Sequence, residues 1–137
     1  MQILSENYFS ELINQCIQEI NLEIDTPLTI MFQDGFLTVE CTWRLRNHKG
    51  VQIGKSEYDL KGSNGKRARK IIKKLLLNNQ VKKVYHFTPV SDLIIEFDNK
   101  LFLDIFHDSS FFEGWQLSIG KSEYISIPGG ELARFNS

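Results

Sequence analysis

Two Gly-Lys-Ser triplets, at residues 54–56 and 120–122, and a polar group comprising Asp104, His107, Asp108 and Glu113 are where this sequence could carry chemistry. A phosphate-binding loop uses a glycine-rich turn and a lysine to cradle phosphates, with the following serine on magnesium. The pattern requires a further glycine six positions before each lysine, and Lys49 and Trp115 stand there instead. Glu-Tyr and alternating residues follow each triplet, which reads as strand where a helix should begin. In the polar group, carboxylates near a histidine could tune a general base or hold a cation. The pattern places Asp104 on the strand face opposite Leu103 and Ile105 and puts His107 and Asp108 in a loop, the ordinary position of solvated polar residues. His48 and His86 have no partner close in sequence. Cys16 and Cys41 have no Cys or His neighbour at metal-ligand spacing and read as core thiols. The sequence therefore predicts no catalytic residue, no metal and no cofactor, and a protein that is not an enzyme.

Charge is distributed unevenly. Between Asp59 and Asp92 there is no acidic residue, while Lys61, Lys66, Arg67, Arg69, Lys70, Lys73, Lys74, Lys82 and Lys83 all fall there, a local +9. The remaining residues carry 7 basic and 17 acidic side chains, so a formal net charge of −1 conceals a dipolar molecule. A basic face of this kind attracts anionic partners, either an acidic protein surface or a nucleic acid. The absence of a helix-turn-helix, zinc-finger or RNP-type aromatic signature weighs against nucleic acid. Phe111 and Phe112 are adjacent in a predicted loop, and exposed aromatics favour protein interfaces. Lys66, Arg67, Lys70, Lys73, Lys74, Phe111 and Phe112 are accordingly the candidate partner-binding residues.

The elements that must position them follow from periodicity. Phe9, Leu12, Ile13, Cys16, Ile17 and Ile20 recur at helical spacing and predict an N-terminal helix with Ser5 as N-cap. Leu28, Ile30 and Phe32 lead into Asp34-Gly35, and Leu37, Val39, Cys41 and Trp43 follow, a hairpin signature. A second hairpin runs from Leu93 to Phe97 and returns through Leu101, Leu103 and Ile105. Trp43-Arg44-Leu45 follows the first and Trp115-Gln116-Leu117 the second, and the hexapeptide Ile-Gly-Lys-Ser-Glu-Tyr then appears in each, at residues 53–58 and 119–124. This predicts a two-copy repeat in which the hexapeptide is a turn between strands, with Tyr58 and Tyr124 packing equivalently. Between the copies Ala68, Ile71, Ile72, Leu75 and Leu76 form the apolar stripe of a helix that opens near Ser63 or Asn64. A strand from Val81 to Phe87 and a last edge segment, residues 131–135, complete the reading.

The second copy, from Leu93-Ile94-Ile95-Glu96-Phe97-Asp98-Asn99 through Phe112-Glu113-Gly114-Trp115-Gln116-Leu117 to Pro128-Gly129-Gly130-Glu131-Leu132, resembles a family of small uncharacterised bacterial proteins. Members of this sort are similar to immunity proteins encoded beside secreted toxins, single domains that bind and block a partner. The resemblance implies a binding role and supplies no catalytic residues.

The expected architecture is an α+β domain in which two related antiparallel β-hairpin units form a twisted sheet or small sandwich. Its parts are an N-terminal helix in residues 1–21, a first β unit in 22–60, a basic insertion helix and connecting strand in 61–91, and a second β unit in 92–137. With no apolar run long enough to span a bilayer and no secretory signature at its start, the chain is expected in the cytoplasm. The expected function is stoichiometric neutralisation of another protein, such as a cognate toxin; the alternative is a nucleic-acid-binding or regulatory module using helix 66–77.

Overall fold

The computed structural model describes residues 2, 3 and 8–136. Its strands are β1 (Gln2–Ile3), β2 (Ile17–Asn21), β3 (Leu28–Phe32), β4 (Gly35–Val39), β5 (Thr42–Asn47), β6 (Gly50–Gly54), β7 (Val81–Thr88), β8 (Asp92–Phe97), β9 (Phe102–Phe106), β10 (Trp115–Ile119), β11 (Ser122–Ser126) and β12 (Leu132–Asn136). Two helices, α1 (Lys55–Tyr58) and α2 (Gly62–Leu76), lie between β6 and β7. The strands make two six-stranded antiparallel sheets, ordered β1-β7-β8-β9-β5-β6 and β12-β11-β10-β4-β3-β2.

Alternation along each strand puts one row of apolar side chains inward. Leu28, Ile30, Leu37, Val39, Trp115 and Leu117 from one sheet join Trp43, Leu45, Leu93, Ile95, Leu103 and Ile105 from the other in one buried cluster. The two sheets thus form a sandwich, and at its heart the His86 ring of β7 meets the Trp115 ring of β10 at 6.2 Å. Residues 14–17 and 78–81 exchange main-chain hydrogen bonds, such as Asn14 N–H to the Val81 carbonyl (2.8 Å) and Val81 N–H to the Gln15 carbonyl (2.9 Å). These join the start of β2 to the start of β7 and stitch the sheets at one corner.

The repeat is present, and its geometry is an exchange. β2-β3-β4 and β7-β8-β9 are equivalent meanders, one in each sheet; each then sends its next two strands across to pair with the other meander. Thus β10 aligns Trp115 with Val39 and Leu117 with Leu37 on β4, while β5 aligns Trp43 with Ile105 and Leu45 with Leu103 on β9. The two crossings touch where the N–H groups of Glu40 (2.9 Å) and Cys41 (3.0 Å) both donate to the Gly114 carbonyl.

The hexapeptides, in contrast, are not equivalent. Leu45 pairs with Ile53, the first residue of one copy, whereas Leu117 pairs with Tyr124, the last residue of the other. Residues 55–58 form α1, with Glu57 accepting the Gly54 N–H at 2.9 Å and Lys55 pairing with Asp59 at 2.5 Å. Residues 119–124 form a hairpin instead: Gly120 turns at φ 57°, Glu123 accepts from Gln116 at 2.7 Å, and Glu11 accepts from the Lys121 N–H and the Ser122 hydroxyl. The second continues as strand through Ile125 to Ser126, whereas the first meets the helical stretch of α2.

The predicted N-terminal helix is replaced by a single 3-10 turn, Ser10–Leu12, and by β2. Phe9 (φ 65°) and Asn14 (φ 71°) adopt left-handed backbone conformations that end any α-helix. The helical spacing of Ile17 and Ile20 has another origin, because a β-bulge between Ile17 and Glu19 resets the alternation and turns both side chains inward. Ser5 lies outside the described residues.

The basic helix forms as expected. It begins at Gly62 with Lys61 as N-cap and no side-chain cap from Ser63 or Asn64, and it buries Ala68, Ile72 and Leu76. Ile71, assigned to the core by spacing, is 40% exposed. Among the described residues no helix is long and apolar enough to cross a membrane.

Candidate functional site

The repeat supplies a reference for what is added to it. Trp43 follows Val39 by four positions, but Trp115 follows Ile105 by ten, so the second crossing carries an extra loop, residues 107–112. That loop holds Phe111 and Phe112, which are 83% and 73% exposed.

The loop is built around His107, whose ring is buried. Its Nδ1 shares a hydrogen with Ser126 Oγ (2.9 Å), its Nε2 donates to the Ser109 carbonyl (2.8 Å), and its main-chain N–H donates to Asp92 (3.1 Å). Burial raises the Asp92 carboxyl above its ordinary value. Ser109 Oγ accepts from the N–H groups of both Phe111 and Phe112 at 3.0 Å, and its carbonyl accepts from Gly129 N–H at 3.0 Å. At the far end Ser126 Oγ accepts from the N–H of Trp115 at 2.8 Å. Gly114 is required here, since a Cβ would stand 2.5 Å from His107 Nδ1. Two large apolar rings are therefore held in water on a loop whose main chain is tied at both ends.

The second candidate surface is the outer face of α2. Lys66, Arg67, Lys70, Lys73 and Lys74 are all exposed. Among the described residues none of them has a carboxylate within ion-pair distance. Arg69 turns inward and donates from Nη1 to the Tyr58 carbonyl at 3.2 Å.

Asp104, His107 and Glu113 are not brought together. Asp104, 1% exposed, accepts on one oxygen from Arg44 Nε (2.8 Å) and Arg46 Nε (2.6 Å), two residues that sequence reading passed over. Arg44 lies over the Phe106 ring at 5.3 Å and Arg46 over Phe102 at 4.3 Å, giving an ordered cation–aromatic face on the outside of the sheet. Their alternation on β5, opposite Phe102, Asp104 and Phe106 on β9, was the available signal. His107 is spent on anchoring, and Glu113 is exposed beside the phenylalanines. Among the described residues no group of three or more His, Cys, Asp or Glu side chains could hold a metal ion. Cys41 is buried, which pushes its thiol up to about 12, while Cys16 is half-buried at the stitched corner.

In comparisons with known proteins, no family model, no curated protein and no solved structure matches the chain.

Proposed function

We propose that the protein is a stoichiometric binding module of the immunity or inhibitor type, which seats Phe111 and Phe112 in an apolar pocket of a partner protein. The observation that carries this reading is the exposure of two adjacent phenylalanines on a loop that the repeat does not need and that hydrogen bonds hold in place. Rigid aromatics that bury on contact are typical binding hot spots, because little entropy is lost in ordering them. The unpaired cations of α2 steer an acidic partner and raise the association rate.

The test uses the protein as bait against the lysate of its source, beside Phe111→Ser/Phe112→Ser and Lys66→Glu/Arg67→Glu/Lys70→Glu/Lys74→Glu variants. One protein recovered in stoichiometric amount, lost with the first variant and slower to associate with the second, supports the reading. No recovery, or equal recovery by all three baits, overturns it. The cation-rich segment favours one second reading, a nucleic-acid module on α2. Its mark is polyanion affinity that falls steeply with salt and survives the phenylalanine substitutions.

A further inference from the structure

We propose that Arg44 and Arg46 form a receptor for a carboxylate, filled by an acidic side chain of the protein that seats Phe111 and Phe112. The occupant rests on the binding reading above; the receptor rests on the outer face of one sheet. Alternation on β5 turns Trp43 and Leu45 inward and Thr42, Arg44 and Arg46 outward. Strand register then sets Thr42 beside Phe106, Arg44 beside Asp104, and Arg46 beside Phe102, with Ile94 beyond Asp104. On the other flank β6 places Gly54, which has no side chain, beside Arg44, and the exposed Val51 beside Arg46. Among these neighbours the two arginine side chains stay 45% and 31% exposed.

This pair is held unlike ordinary surface arginines. Each gives its Nε–H to the same oxygen of the buried Asp104 and lies over a phenylalanine ring. The freedom that a mobile arginine loses on binding is therefore already lost on folding. Among the described residues no acceptor meets the Nη groups of either, so the Nη1–Nη2 edge of each fork is free to match a carboxylate. Two guanidinium groups against one carboxylate leave one positive charge uncompensated. Of the other acids on this side, Glu96 lies 3.9 Å from Lys82, Asp92 accepts from the His107 N–H, and Asp108 accepts from the Thr42 hydroxyl at 2.8 Å. A single excess charge among aromatic rings fits one carboxylate on a protein surface better than a run of phosphates. The Thr42–Asp108 bond also makes the receptor continuous with the loop, because it ties the start of the loop to the outward neighbour of Arg44. One protein surface can therefore cover both.

The experiment follows the arginine Nε–H signals of the ¹⁵N-labelled protein by NMR, with Arg69, turned inward to the Tyr58 carbonyl, as internal reference. Acetyl-Leu-Glu-Leu-amide is expected to shift the Arg44 and Arg46 signals saturably and leave Arg69 fixed. Acetyl-Leu-Gln-Leu-amide lacks the charge, and an Arg44→Lys/Arg46→Lys variant keeps both charges and a partner for Asp104 but loses the forks; each should weaken binding by about tenfold. The Phe111→Ser/Phe112→Ser variant should hold this short peptide as the wild type does, so the receptor is read separately from the phenylalanines. Fixed Arg44 and Arg46 signals, an equal response to the glutamine peptide, equal affinity of the lysine variant, or loss of binding with the phenylalanine variant would overturn the receptor. Oligodeoxythymidylate shifting the same signals at lower concentration than the peptide would overturn a protein carboxylate as its occupant.

Discussion

Lowering the pH from 7 to 5 should destabilise the fold by about 2 kcal/mol through one side chain, His86. His86 is 2% exposed, between Phe9 at 5.6 Å and Trp115 at 6.2 Å. Its Nε2 meets Ser91 Oγ at 2.9 Å, and among the described residues its Nδ1 has no partner and no carboxylate pairs with the ring. Burial pulls it from an ordinary 6.5 to about 4. Between those values the unfolded chain binds a proton that the folded chain refuses. This contribution is therefore fully present above pH 6.5 and is lost progressively as the pH falls toward about 4. At pH 5 most, but not all, of that difference is realised, which gives the figure above. Urea denaturation at the two pH values reads it as a fall in midpoint. His86→Leu, apolar at every pH, should be less stable at pH 7 and lack this part of the acid sensitivity. A wild type that loses nothing between pH 7 and 5, or a variant that loses as much, would refute the role of His86.

Phe111→Ser/Phe112→Ser should leave folding stability within about 0.5 kcal/mol by the same assay, because the rings touch mostly water. Asp104→Ala should cost about 2 kcal/mol, less than for a fully buried pair because Arg44 and Arg46 reach solvent. Gly35→Ala places a Cβ 1.8 Å from the Ser118 carbonyl on the adjacent strand and should cost about 3 kcal/mol or prevent folding, scored by circular dichroism. The Cys41 thiol, held near 12 by burial, should resist thiol reagents at neutral pH until denaturant is added, as mass spectrometry of the labelled chain would show.

Where a local pattern had only one physical solution, it was legible in the chain. The Asp34-Gly35 hairpin, the return through Leu103 and Ile105, and the amphipathic α2 all appear where alternation or helical spacing placed them. Ile17 and Ile20 misled because a bulged strand and a helix can share a three-residue spacing. The duplicated hexapeptide pointed to a real repeat for an accidental reason, since the equivalence lies in Leu37, Val39, Trp43 and Leu45 against Leu103, Ile105, Trp115 and Leu117. Lys66, Arg67, Lys70, Lys73 and Lys74 were legible because a helix buries one stripe and exposes the rest. His107 was misassigned to solvent because its partner Ser126 is distant in sequence. The alternation of Arg44 and Arg46 with Trp43 and Leu45 marked an outward face, but their pairing with Asp104, Phe102 and Phe106 is a register that a single sequence does not reveal.

The exchange of β5–β6 and β10–β11 has an ancestral reading. A lone meander with its outgoing hairpin has nothing of its own for that hairpin to cover, but two identical copies would satisfy each other about a two-fold axis. Fusing two such copies would produce this chain, and the loop carrying Phe111 and Phe112 would then be a change made in one copy alone. The present molecule has the dependence that such a dimer would have. Each sheet takes strands from both halves of the sequence, so a ribosome must release the chain as far as Phe106 before one sheet can close and as far as Asn136 before the other can. Until then, each meander is an open edge that another copy of the chain could enter.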